Sequence, residues 1–149
     1  MPDASPLTGA RAVVAGAAGG IGGAVVTTLR AHGAHVDAWD VVPDHTTRAV
    51  DVTDRGAVRA AWKASNADGP VDIVVSAVGV RSDDWDTCMA VNAGGVRNLL
   101  DVAIDDLTGR KSGAVVVISS NAGAIPRSGL AAYAASKAAA TSYTRSLGL

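Results

Sequence analysis

A chain of 149 residues has room for one domain and none for a separate substrate domain, and 48% apolar against 18% charged side chains excludes a disordered segment. Thirteen basic and fourteen acidic residues leave a formal charge of −1, with no basic run to follow a nucleic-acid backbone. The single cysteine, Cys88, excludes an internal disulfide, no His/Cys cluster stands at metal-ligand spacing, and no apolar run reaches the ~18 residues that cross a bilayer. The start of the chain does not resemble a signal peptide, so a soluble cytoplasmic protein without metal, membrane or nucleic-acid partner is expected.

Short valine-rich runs alternate with longer alanine-rich stretches, the rhythm of a parallel sheet with helices over both faces. The pattern predicts a strand over 11–15, a helix over 20–32 that stops at Gly33, and a second strand over 35–41. A short third strand is expected over 49–52 and a helix over 54–65, with the Asp54 carboxylate suited to its positive end. A fourth strand over 71–76, a long helix over 85–106, a fifth strand over 114–119 and an alanine-rich helix over 130–149 complete the chain. Residues 1–149 therefore read as one α/β domain.

The first strand runs into Gly16-Ala17-Ala18-Gly19-Gly20-Ile21-Gly22 and then a helix. A dinucleotide's pyrophosphate placed there meets free backbone N–H groups and the positive end of the helix. Gly16 permits the tight turn, Gly20 the close approach of phosphates, and Gly22 the packing of helix on strand. A merely glycine-rich turn is the plain alternative, outweighed by the strand before it and the helix after it. Asp40 closes the second strand about 20 residues on, where a carboxylate accepts hydrogen bonds from a ribose and repels a 2′-phosphate, which favours NAD over NADP. It could instead simply cap the strand. Asp51, followed by Val52, would lie beside the adenine or act as a turn former that starts the next helix together with Asp54.

Tyr133 and Lys137 are four apart in a helical stretch and share one face. A phenol has an ordinary pKa near ~10, and a neighbouring ammonium favours its ionised form, as general acid/base work at neutral pH requires. Such a pair alone is common and usually structural. Here Ser120 stands thirteen residues before Tyr133 at the end of a strand, Ser136 lies beside Lys137, and the dinucleotide loop lies upstream.

Taken in order, the glycine loop, Asp51-Val52-Thr53-Asp54, Val91-Asn92, Ile118-Ser119-Ser120 and Tyr133-Ala134-Ala135-Ser136-Lys137 resemble the motifs of the classical short-chain dehydrogenases/reductases. The resemblance implies a Rossmann-like doubly wound parallel sheet in three α/β/α layers and a nicotinamide cofactor, held by Gly16, Gly20, Ile21, Gly22, Asp40, Asp51, Val52, Gly79, Tyr133 and Lys137. It further implies a catalytic tetrad at Asn92, Ser120, Tyr133 and Lys137. In that tetrad Tyr133 is the base toward a substrate hydroxyl, Ser120 bonds the same oxygen, and Lys137 also holds the nicotinamide ribose. Asn92 places a water that links Lys137 to solvent. The segment from Ser120 to Leu149 is similar to the 2,3-dihydro-2,3-dihydroxybenzoate dehydrogenases of siderophore biosynthesis, which oxidise a cyclic dihydrodiol carboxylate with NAD to a catechol. A carboxylate substrate would call for an arginine, and Arg81 and Arg127 lie on loops expected to border the nicotinamide.

The chain departs from the family at Ala15, where threonine is usual, and at Ser76-Ala77-Val78-Gly79, where asparagine usually leads. Only eleven residues separate Gly79 from Val91, so the connection into the long helix is short. Classical members continue past Leu149 with the last strands, which this reading expects to be missing, leaving the fifth strand as an exposed edge. Alternatives are a carbonyl reductase, such as a 3-oxoacyl thioester reductase, and an inactive dinucleotide-binding fragment. A homo-oligomer built through the long helices is the assembly the family would use.

Overall fold

The computed structural model of the protein describes residues 5–42 and 44–148. Strands β1 (Arg11–Ala15) and β4 (Ile73–Ser76) carry valines at successive positions, as strands covered on both faces do. Val13, Val14 and Val74 are 0% exposed. β2 (His35–Asp40) and the short β3 (Thr47–Ala49) extend the sheet beyond β1, and β5 (Ala114–Val117) extends it beyond β4. Every pairing is parallel and the order is β3-β2-β1-β4-β5, the doubly wound order expected from the sequence. The winding reverses between β1 and β4, and the C-terminal ends of those strands border the crevice in which such sheets take ligands.

Side chains alternate between the two faces of a strand, so Val13 and Val14 belong to different halves of the core. On one face α1 (Gly20–Ala31) sets Val26 against Val14, Ala38 and Val75. On the other, Val58 and Trp62 of α2 (Arg55–Ser65) and Leu99 and Ala103 of α4 (Val96–Arg110) pack on Val13, Trp39 and Val74. α5 (Ala131–Leu147) lies over α4 with Ala140 against Val96 and Leu100. The α1 layer does not reach β5, where Val116 is 47% exposed.

Most predicted elements agree to within two residues at each end, with β4 starting at Ile73 and β5 ending at Val117, and two differ further. The third strand is Thr47–Ala49, not 49–52: Ala49 pairs with Asp40, the last residue of β2, and the Val50 N–H still reaches the Asp40 carbonyl at 2.9 Å. After that the Asp51 carboxylate captures the Thr53 N–H and hydroxyl, turning the chain out of the sheet. The alternation of Val50 and Val52 is real, since both are buried, but they enter the core from a turn. The long helix is in three parts: α3 (Trp85–Cys88), a wider π-type stretch at Met89–Gly95, and α4, which runs past the predicted end at 106 to Arg110. The last predicted helix reached 149, a residue outside those described.

Asp101 of α4 fastens three helices. It accepts from the Tyr143 hydroxyl of α5 and pairs with Arg55 of α2 at 3.3 Å and with Arg97 at 3.5 Å. Partial burial and this carboxylate push the Tyr143 phenol up from 10.0 to about 12. Between those values the folded chain keeps a proton that the unfolded chain releases, so the stabilisation is whole below pH 10.0 and is lost as pH rises through about 12. Urea midpoints taken from neutral pH upward should therefore fall more steeply above that lower value in the wild type than in Tyr143→Phe. Parallel curves would contradict this.

Candidate active site

β1 delivers the chain to a loop with little tolerance for side chains. Gly16 turns at φ +81, and a Cβ there would lie 2.7 Å from the Ala77 carbonyl carbon; a Cβ on Gly22 would lie 2.0 Å from the Gly16 oxygen. Gly20 is different, because a Cβ there meets nothing within 4 Å: the space over the first turn of α1 is open. Gly19 caps α1 without a side-chain acceptor, so first-turn N–H groups remain for an anion. Ile21 is exposed beside them.

Asp40 ties this loop to β2. Its Oδ2 accepts the Ala18 N–H at 3.0 Å and its Oδ1 accepts the Val42 N–H at 3.0 Å. Next to it a cleft of about 370 Å³ opens between Val41, Val50, Val52 and Val91, with Ala77 to Val80 on the facing rim. Asp51 also borders the cleft, its Oδ1 holding Thr53, while Asn98 Nδ2 donates to the Val52 carbonyl at 2.9 Å. Asp54 caps α2 through the Gly56 and Ala57 N–H groups at 2.7 and 3.1 Å. Apolar walls, a carboxylate and an open helix N-terminus match the flat ring, the hydroxyls and the phosphates of a dinucleotide.

At the end of β4 and β5 lies a buried ammonium. Lys137 is 4% exposed, and its Nζ donates to the Val78 carbonyl at 3.0 Å and the Ile118 carbonyl at 3.2 Å. Burial pushes its pKa below the ordinary 10.5. A Cβ on Gly79 would lie 2.8 Å from that Nζ, so the glycine makes room for the ammonium. Asn92, wholly buried in the π-type stretch, accepts the Val80 N–H on Oδ1 at 2.7 Å and donates from Nδ2 to the Val80 carbonyl and the Ser136 hydroxyl, both at 2.9 Å. Both amide protons are used, so a water at this side chain could only donate to Oδ1. Wider helical turns of this kind recur at functional sites.

Tyr133 lies one turn before Lys137 on the same face of α5 and is partly buried. Ser120 follows β5, its Oγ accepting the Ala122 N–H at 3.2 Å. The short turn Asn121–Gly123 presses on α5, where a Cβ on Gly123 would lie 2.9 Å from the Ala138 nitrogen. Gly79, Asn92 and Lys137 are thus in contact, and Ser120 and Tyr133 are carried to the same end of the sheet.

The two arginines separate. Arg81 is exposed and follows Val80, a residue that lines the cleft. Arg127 bonds Asn121 Oδ1 at 3.4 Å and lines a groove with Ala131, Ala134, Ala135 and Ala138, a face of α5 turned away from Tyr133 and Lys137. The sequence did not single out the carbonyls that receive Lys137, nor the Ala18 N–H on Asp40; main-chain groups leave no trace in residue identity. Among the described residues no cluster of His, Cys, Asp and Glu could hold a metal ion, and no helix is long and apolar enough to cross a membrane.

The chain matches the short chain dehydrogenase family over residues 10–149. It is 34% identical to 2,3-dihydro-2,3-dihydroxybenzoate dehydrogenase of Bacillus subtilis (strain 168), over 99% of this chain and 66% of that protein. The protein of the same name from Escherichia coli (strain K12) is 32% identical, over 96% of this chain and 64% of its own length. The crystal structure of gox2181 is similar with a TM-score of 0.86 at 29% identity, covering 95% of this chain and 66% of that one. The chain therefore spans a little under two thirds of the length of these proteins. With the doubly wound sheet, the glycine loop and the Tyr133/Lys137 helix face all inside the matched region, the chain belongs to the short-chain dehydrogenase family.

Proposed function

We propose that this chain is the cofactor-binding and catalytic portion of an NAD-dependent oxidoreductase that oxidises a cyclic dihydrodiol carboxylate, of the 2,3-dihydro-2,3-dihydroxybenzoate class, to a catechol. The observation that carries the reading is the buried Lys137 ammonium, set against Gly79 at the end of the dinucleotide cleft and one helical turn from Tyr133. The substrate class rests on the resemblance to the two dehydrogenases of that name.

A bound nicotinamide dinucleotide supplies the hydride acceptor. Tyr133 Oη takes the proton of the substrate hydroxyl, and Ser120 Oγ donates a hydrogen bond to the same oxygen. Lys137, with two of its three protons given to carbonyls, keeps one donor for a ribose hydroxyl and supplies the positive charge beside the phenol. Asn92 acts through Val80 and Ser136, holding the Gly79 turn against α5. Gly16, Gly20, Ile21 and Gly22 receive the pyrophosphate, and Asp51 and Val52 border the adenine. Asp40 keeps lone pairs for ribose hydroxyls while it braces the loop. Its charge repels a 2′-phosphate, so NAD is favoured over NADP.

With NAD and 2,3-dihydro-2,3-dihydroxybenzoate, reduced cofactor followed by absorbance should accumulate in the wild type. Tyr133→Phe should lower kcat by roughly 10²- to 10⁴-fold while cofactor binding persists; turnover at the wild-type rate would refute the assignment. In cofactor competition, Asp40→Asn should narrow the preference for NAD over NADP by about tenfold, the like-charge repulsion being removed at a partly exposed site. A wild-type preference for NADP would overturn the use made of Asp40. Because Arg127 faces away from Tyr133, Arg81 is the better partner for the substrate carboxylate: Arg81→Ala should raise KM for the diol by about tenfold, the loss of a charge-assisted pair, with Arg127→Ala near wild type. The reverse order would return the role to Arg127.

A further inference from the structure

We infer that Ser136 is a positioning residue, which sets Tyr133 and Lys137 by fastening α5 to the Asn92 stretch and through it to the Gly79–Val80 turn. The inference rests on the proposed roles of Tyr133 and Lys137. Ser136 is 0% exposed, and its hydroxyl lies between two partners: Oγ donates to the Tyr133 carbonyl at 2.8 Å and accepts from Asn92 Nδ2 at 2.9 Å. A hydroxyl has one proton, and a carbonyl cannot donate, so the direction of both bonds is fixed. The Asn92 amide is fixed in turn, since Oδ1 must face the Val80 N–H and the other Nδ2 proton the Val80 carbonyl. A single polar chain thus runs from the end of β4 through Asn92 to the carbonyl of Tyr133.

Several other hydroxyls in this protein's helices make a single, local bond. Thr27, Thr28, Thr144 and Ser146 bond back to the carbonyl four residues earlier, the ordinary way in which such side chains satisfy themselves. Ser136 reaches back only three residues and also receives a side-chain donor from a second helical segment. It immediately precedes Lys137, whose ammonium occupies the space that a side chain on Gly79 would need. Without the hydroxyl, one Asn92 proton and one Tyr133 lone pair lose their partner, and α5 keeps only the Lys137 bonds as its polar tie to the turn that Gly79 belongs to.

The test is a pH–rate profile of diol oxidation by the full chain with NAD, for wild type, Ser136→Ala, Ser136→Cys, Tyr133→Phe and the control Ser146→Ala, with a urea midpoint for each. Ser136→Ala should lower kcat about tenfold, since displacements of about 1 Å already carry factors of this size or more, with KM for NAD raised by a smaller factor and the acidic limb of the profile moved to higher pH. Ser136→Cys keeps nearly the same volume with a weaker donor and should fall between, and Ser146→Ala should match wild type. Loss of urea stability in the Ser136 variants with kcat and the profile unmoved would overturn the positioning role, leaving a structural one. If Ser136→Ala fails to fold, the same criterion applies to Ser136→Cys. Turnover retained by Tyr133→Phe, or NAD binding without turnover in the wild type, would instead overturn the catalytic reading and with it this role.

Discussion

An ammonium taken out of water has to find oxygen acceptors, and the C-terminal end of this sheet is arranged around that requirement for Lys137. The two carbonyls it reaches, those of Val78 and Ile118, follow β4 and β5 and belong to segments that have just left the ladder. Carbonyls inside a parallel ladder are occupied by the neighbouring strand, so a lysine can be satisfied at a sheet end and not at its centre. Gly79 then follows from a distance: any side chain there would displace the ammonium. The pairing register of β4 with β5 sets where these carbonyls stand, and α5 must pack at a fixed height for Nζ to meet both.

The same economy governs the cofactor side. Asp40 serves as the acceptor for the Ala18 N–H and as the negative group at the rim of the cleft. A carboxylate does both, whereas an amide or a hydroxyl in its place could accept the N–H but would bring no charge. Bracing by Asp40 orders the loop before a ligand arrives, and that reduces the conformational entropy lost on binding. On the far wall Asn98 and Gly95 perform the matching task. Asn98 holds the Val52 carbonyl, and Gly95 has no Cβ to collide with the Val52 methyl 2.6 Å from its ideal position. The π-type stretch thereby touches both halves of the crevice, the Val52 side through Gly95 and the Lys137 side through Asn92.

Seen from the residues alone, the strands with uninterrupted valines and the helices with caps were the most legible parts. Asp54 starts its helix as a short acidic side chain does, and Gly16 and Gly22 stand where backbone meets backbone. Residues 49–52 were misread because a short valine-rich run reports which side chains are buried, and a turn that dives into the core gives the same signature as a strand. The π-type widening was invisible for a related reason: an extra residue in one turn changes the phase of a helix by geometry, without any required residue type. Arg127, between Ser120 and Tyr133 in the chain, looked more suitable than Arg81, which follows β4, and only the rotation of α5 turns it away.

By itself the sequence determined the sheet's composition, the glycine loop between β1 and α1, the acid at the end of β2, and a tyrosine and a lysine one turn apart. These are local matters, decided by φ/ψ tolerance, capping and helical periodicity over a few residues. Only the tertiary structure decided that Lys137 is buried against Val78 and Ile118, that Asn92 spends its amide on Val80 and Ser136, and that Asp40 holds the loop as well as facing the cleft. Each of these joins groups between 12 and 59 positions apart. Partners at such distances are chosen by the order and register in which strands pair, and no local rule of residue type encodes that choice.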